Sequence, residues 1–493
     1  MKIDTKKTGF WIGILVFLAL LLSPTPSELS PEAHKTAAVA SLMIVWWITE
    51  AIPIYATAFL PVVLFPLLGI LPSSETTKNY GHDYVLMLLG AFILAKGIEK
   101  QNLHKRISLL TISFLGTKKR KIILGFMVVT AFLSMWITNM AVVLIMLPIA
   151  MALISKEEES QRKNFGTALL LGIAYAASIG GTATLIGTPP NLVFAGLIGQ
   201  LYPNAPEIDF IQWMKIGVPV VLFFIPIVWL YIVYFFKIKN NLKGGSQVIT
   251  DEKKSLGKIS IGENRILFIF ILTAIGWIFK KNLDIGSFIL PGWSNILGVS
   301  DYVHDSTVAL FGAIMLFLVN DGKGKKLMNW KTAQHIPWGV AMFLGGGLAL
   351  GLAFKRTGLA EWIGGSFSAL SDYPEFLIIL LVVGMIIFIT EVNSNTATAT
   401  IFLPVLAAVA VASSINPLLL IIPATFACSF AFMLPSGTGT NTVIFASDQL
   451  TISDMARTGF WLNLICMVLL PIVLYFVILP LLGVNVEVPE WAL

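Results

Sequence analysis

The chain has 493 residues, of which 56% are hydrophobic and only 12% charged. Soluble domains carry about a quarter charged residues, and the mean hydropathy of +0.84 excludes a soluble fold, which has nowhere to hide that much apolar surface. The formal charge of +6 does not mark a nucleic-acid surface, because 25 of the 33 Lys and Arg fall in 1–8, 99–121, 155–165, 237–265, 321–337 and 448–457, the short segments expected on the cytoplasmic side of a membrane protein.

In chain order, a basic start (Met1–Lys7) leads into apolar Gly9–Leu22. No A-x-A-like cleavage site follows and similar segments come after it, so this reads as a retained first helix. Apolar spans follow at 36–50, 52–71, 83–99, 166–200, 212–236, 264–279, 303–320, 338–354, 415–447 and 458–483, eleven crossings with the first at 9–27. Segments 122–154 and 373–414 differ: each is long and apolar but broken midway by Asn, Thr and Ser. They read as re-entrant hairpins, because irregular backbone at that depth is tolerated only where it lines a cavity or is buried in protein. Residues 101–116 read as an amphipathic helix on the cytoplasmic surface. The polar stretch 237–262 is a solvated loop or a domain linker.

Starting inside and crossing eleven times leaves the N-terminus cytoplasmic and the C-terminus outside. The first hairpin then opens to the cytoplasm, flanked by Lys118, Lys119, Arg120 and Lys121, and the second opens outside. The cysteines, Cys428 and Cys466, lie in apolar segments and read as packing residues.

The chain also resembles itself. At an offset of 256 residues, Gly90…Leu103 matches Gly346…Leu359, Thr138-Asn139-Met140 matches Ser394-Asn395-Thr396, and Leu147-Pro148 matches Leu403-Pro404. At an offset of 250, Gly187-Thr188-Pro189-Pro190-Asn191 matches Gly437-Thr438-Gly439-Thr440-Asn441. An odd number of crossings between the hairpins inverts the repeats. Inverted repeats with broken helices are the usual build of secondary transporters, with the site where the repeats meet. Each hairpin tip offers carbonyls from one half-helix and N–H groups from the next, a pairing suited to a cation and an anion. No Lys or Arg occurs at 122–155, 164–214 or 357–456, so an anion held there meets dipoles, amides, hydroxyls and co-bound cations.

Asn139 and Asn395 stand out because they are matched and each precedes a Gly/Pro break. Glu391, beside the second tip, reads either as functional or as a residue that orients the tip. Glu50 reads as structural. His34, His82, His104, His304 and His335 are scattered without metal-binding spacing. An anion channel calls for a continuous polar lining or charged rings, and a membrane-embedded enzyme for a nucleophile–base pair or metal motif. Neither pattern is legible.

The stretches WWITEAIPIYATAFLPVVLFPLLGI (46–70), SMWITNMAVVLIMLPIA (134–150), GGTATLIGTPPN (180–191), TEVNSNTATATIFLPV (390–405) and SFAFMLPSGTGTN (429–441) resemble the divalent anion/sodium symporter family, the INDY-type dicarboxylate transporters. The resemblance spans nearly the whole chain. It implies an all-α polytopic homodimer in the cell membrane, with two inverted repeats and elevator-type motion. The implied scaffold is 1–117 and 237–371, and the implied transport domain is 118–236 and 372–493. The implied substrates are succinate, malate, fumarate or α-ketoglutarate, with citrate or sulfate as the alternative. Enzymatic activity, a cofactor and nucleic acid are not implied.

By motif, one sodium site would use Ser134, Thr138, Asn139 and Gly187, and a second Thr390, Asn395 and Gly437. The substrate would lie among Asn139, Met140, Ser394, Asn395, Thr396, Thr438 and Gly439. Two departures are evident. Met140 stands where the second tip has a hydroxyl, and Gly439 where the first break has a proline. The first departure argues against sodium and the lack of fixed cations argues for it, so sodium symport and anion exchange both stay open.

Overall fold

A computed structural model describes residues 5–115, 118–239, 254–286 and 288–492. The described chain is helical apart from a short antiparallel hairpin, β1 (Leu283–Ile285) and β2 (Phe288–Leu290), in the register Leu283↔Leu290. Among the described residues, eight helices are long and apolar enough to cross a membrane. The expected polar loop 237–262 lies mostly outside the described residues, as do residues 116–117.

The longer helices before the first repeat are α1 (Thr5–Leu22), α2 (Pro31–Thr49) and α3 (Leu60–Leu68). Ser30 caps α2 by accepting the Ala33 N–H, and Glu50 ends it in the left-handed region at φ 47°. The Glu50 side chain is exposed and pairs with Lys6 at 3.4 Å. Helix α1 is apolar all round and almost unburied, as expected of a helix facing lipid.

The first repeat comprises α4 (Asp83–Lys100), α5 (Leu103–Leu115), α6 (Lys119–Ser134), α7 (Asn139–Ser155), α8 (Glu159–Gly180), α9 (Pro189–Leu201) and α10 (Phe210–Phe235). Two helices, α11 (Ile261–Ile278) and α12 (Asp305–Leu318), lead to the second repeat. This comprises α13 (Trp338–Thr357), α14 (Leu359–Gly365), α15 (Glu375–Thr390), α16 (Asn395–Ala412), α17 (Pro417–Cys428), α18 (Gly439–Phe445) and α19 (Ile452–Val473). The two series correspond element by element. In each, two half-length helices meet at a four-residue tip, 135–138 or 391–394, and a longer span is broken at 181–188 or 429–438.

The broken spans form the centre of the molecule. Every residue of α17 is buried, as is the apolar window of α8. Here the cause is close backbone packing. A Cβ on Gly217 of α10 would stand 2.6 Å from the Thr182 carbonyl oxygen, and one on Gly459 of α19 would stand 2.2 Å from that of Phe432. At matched places, a glycine lets the last helix of each repeat lie against the break of its own repeat.

Buried ion pairs tie the ends. Lys119, expected among the basic residues flanking the hairpin mouth, is buried rather than exposed. It pairs with Glu157 at 2.9 Å and donates to Gln161 at 3.2 Å. Opposite charge across the base of α6 and α7 is what draws it in. Arg106 grips Glu263 through Nε and Nη2 at 2.7 and 3.2 Å and collects the carbonyls of Leu256, Gly257 and Lys258, which joins α5 to the start of α11. Lys280 pairs with buried Asp305 at 2.6 Å, and Asp305 also accepts the first N–H of α10, from Phe210, at 2.7 Å.

Candidate functional site

The two tips and two breaks meet at a cavity of about 390 Å³. Thr138, Asn139, Met140, Gly187, Ser394, Asn395, Thr396, Gly437, Thr438 and Gly439 all line it. Ser134 and Thr390, the remaining residues named from sequence, lie fully buried beneath the tips.

Each tip is built the same way. The Ser134 hydroxyl gives its one proton to the Ala177 carbonyl at 2.8 Å. Asn139 therefore meets Ser134 with its amide N–H, 2.5 Å away, and that nitrogen also lies 3.3 Å from the Gly187 carbonyl. In the second repeat Thr390 donates to the Cys428 carbonyl at 2.8 Å and stands 2.9 Å from the Asn395 amide. Here the contact with Thr390 is made by the Asn395 amide oxygen. Asn139 thus links the first tip to its break, while Asn395 closes the second tip onto Thr390.

What the tips leave free is backbone. The first intrahelical bonds of α7 and α16 are made by the N–H groups of Val142 and Thr398. The N–H groups before them, on Asn139–Ala141 and Asn395–Ala397, have no helix partner, and neither Thr138 nor Ser394 caps them with its side chain. Two helix N-termini facing one cavity make an anion-binding arrangement without a fixed cation.

The breaks are held by asparagines that the sequence reading matched but did not place in the site. Asn191 donates to the carbonyls of Gly181, Thr182 and Thr184 at 3.2, 3.4 and 2.7 Å. Asn441 donates to those of Ala431 and Leu434 at 3.2 and 3.0 Å. Their signal was the 250-residue offset itself. Glu391 is buried and accepts the N–H groups of Phe432, Met433 and Leu434 at 2.6–3.0 Å and the Asn463 amide at 2.7 Å. Of the two readings of this residue, the contacts match the one that orients the second tip. Nothing in the sequence pointed to Asn463.

The backbone around the two glycines suits a hard cation. A Cβ on Gly187 would fall 2.4 and 2.8 Å from the carbonyl oxygens of Gly181 and Ser134. One on Gly437 would fall 3.1 and 3.2 Å from the carbonyl and carboxylate oxygens of Glu391. Neutral oxygens converge at the first position, and a carboxylate joins them at the second. The asymmetry continues in the lining. Met140 packs its sulfur over Gly439, 3.3 Å from where a Cβ would stand. The first break enters α9 through Pro189 and Pro190, which cap no anion because Pro190 and Pro189 bring no N–H. The second enters α18 through Gly439 and Thr440, which do.

Two further cavities adjoin. One shares Ser394 and Ser436 and reaches Lys6 and Glu50, and the other shares Phe92, Thr138, Met140 and Pro337 and reaches Lys96, Glu99 and His335.

Apolar helices, broken spans and a central polar cavity define a multi-pass membrane transporter. The chain belongs to the sodium:sulfate symporter transmembrane-region family, whose profile it matches over residues 4–482. It is 39% identical to the sodium-dependent dicarboxylate transporter SdcS of Staphylococcus saprophyticus and 40% identical to SdcS of Staphylococcus aureus. Both alignments cover 98% of this chain and 93% of the relative. Among solved structures, the fold is similar to the YdaH transporter of Alcanivorax borkumensis (TM-score 0.52, 12% identity, 89% of this chain and 98% of that one). It is also similar to MtrF of Neisseria gonorrhoeae (TM-score 0.53, 13% identity, 97% and 100%).

Proposed function

We propose that this protein carries C4-type dicarboxylates such as succinate across the cell membrane by sodium symport. The observation that carries this reading is the pair of matched helix N-termini, α7 and α16, facing one cavity that has no Lys or Arg in its lining. A dianion there is met by N–H groups and hydroxyls, and the remaining charge is balanced by co-bound sodium. The oxygens gathered at Gly187 and Gly437 are suitable places for the ions. The relatives named as sodium-dependent dicarboxylate transporters support sodium over anion exchange.

Asn139 and Asn395 act by ordering the tips, while the hydroxyls of Ser394, Thr396 and Thr438 and the tip N–H groups take the substrate. Residues 118–236 and 372–493 move as the transport domain against a scaffold of 1–117 and 237–371, in a homodimer with the N-terminus cytoplasmic and the C-terminus outside. The adjoining cavities reach segments read as cytoplasmic, so the arrangement corresponds to a cytoplasm-facing state. The test is uptake of labelled succinate into proteoliposomes. A sodium gradient alone should drive uptake into empty vesicles. Uptake that ignores sodium and requires internal dicarboxylate would replace symport by exchange. Competition by unlabelled citrate and sulfate ranks the other anions.

A further inference from the structure

We infer that Tyr55 is a substrate-contacting, specificity-determining residue that donates its phenol hydroxyl to the dicarboxylate from the wall opposite the tips. This rests on the transport reading above and adds a residue that the motifs do not include.

The cavity has two unlike walls. The tips and breaks supply the polar one. The other is made by Tyr55, in the one-turn helix Ile54–Thr57 ahead of α3, with Phe92 of α4 and Pro337 and Val340 at the start of α13. Among these four side chains only Tyr55 carries a polar atom. It is 40% exposed, and its hydroxyl has no hydrogen-bond partner among the described residues. A phenol O–H is a donor, and one exposed on a cavity wall is available to a ligand.

The ring is held in place. A Cβ on Gly339 would fall 2.4–2.7 Å from three atoms of the Tyr55 ring, so α13 presents bare backbone for the ring to lie on. A ring seated this way has little freedom to lose on binding, which favours a directed contact. The need for such a donor is also local. Met140 gives the first tip one hydroxyl fewer than Thr396 gives the second, and a thioether does not donate to a carboxylate. A short dicarboxylate gripped by the second tip presents its other carboxylate to a half-site with fewer donors, and Tyr55 is the donor on the facing wall.

The test is Tyr55→Phe, which removes the hydroxyl and keeps the ring that packs on Gly339. Sodium-driven succinate uptake should show KM raised about tenfold, the size expected for loss of a hydrogen bond to a charged group. The sodium concentration for half-activation, read at saturating succinate, should be unchanged, since Tyr55 is not among the oxygens gathered at Gly187 and Gly437. A purely structural role would move both constants or lower the amount of folded carrier. Gly339→Ala, which displaces the ring, should raise KM in the same direction. A Tyr55→Phe KM within twofold of the unaltered protein overturns the inference, as does a matching shift in sodium activation. If the unaltered protein itself takes up no succinate, the transport reading fails instead, so the two failures are distinguishable.

Discussion

At the scale of single residues, the site works by hydrogen-bond accounting. Asn139 and Asn395 both line the cavity, and each also holds its own tip, Asn139 through Ser134 and the Gly187 carbonyl and Asn395 through Thr390. Asn395→Ala should still weaken succinate binding about tenfold, because losing the clasp disorders the N–H groups that hold the carboxylate. Binding measured by calorimetry on purified protein checks this, and near-normal affinity would remove Asn395 from the site. Glu391 is the sharper case. Its carboxylate satisfies three backbone N–H groups of the second break and the Asn463 amide, and its own carbonyl and carboxylate oxygens are the ones that lie over Gly437. At position 135, the matching place in the first repeat, the residue is methionine. Glu391→Gln turns an N–H toward backbone donors and removes the charge. Sodium half-activation should rise at least tenfold, whereas Met135→Leu should leave it within about twofold. Equal effects would mean that the two cation positions are not unlike.

At the scale of elements, the hairpins stand because their ends are tied. The pair Lys119–Glu157 closes the base of α6 and α7 in a buried setting. Glu157→Gln leaves the ammonium uncompensated and should destabilise the detergent-solubilised protein by about 3–5 kcal/mol. Replacing both partners with apolar residues of similar volume should recover much of the loss. Thermal unfolding of the single and double variants decides it. If the single variant melts like the unaltered protein, the pair does not close the hairpin. Gly217 and Gly459 make the complementary prediction. Alanine at either presses on the carbonyls of its own break and should reduce transport more than expression, read as uptake per folded protein.

At the scale of the whole molecule, the proposed inversion of the repeats would put the two hairpin mouths on opposite sides. Burial of Lys119 makes it a poor reporter, so the cytoplasmic probe belongs at exposed Lys121 and the external one at exposed Asp372. The native cysteines, Cys428 and Cys466, are fully buried and should not interfere. Cysteines at 121 and 372 should react with a membrane-impermeant maleimide from the cytoplasmic and external faces respectively. Labelling of both from one face would refute the inverted arrangement.

Much of this was legible in the sequence. Hydropathy and charge gave the membrane class, and the offsets of 256 and 250 residues located both tips and both breaks within a few residues of where the helices end. Repeats are readable because each must solve the same local problem: a helix that stops in mid-span needs capping residues, glycine or proline, and an amide to hold its loose carbonyls. Relations across elements were not readable. Met140 resting on Gly439, Glu391 gathering the second break with Asn463, Lys119 turning inward to Glu157 and Tyr55 closing the far wall join residues that have no spacing rule between them. Local sequence sets where a helix must break, because the backbone groups freed there have to be satisfied nearby. Which side chains then face one another across the cavity is decided by how distant helices pack.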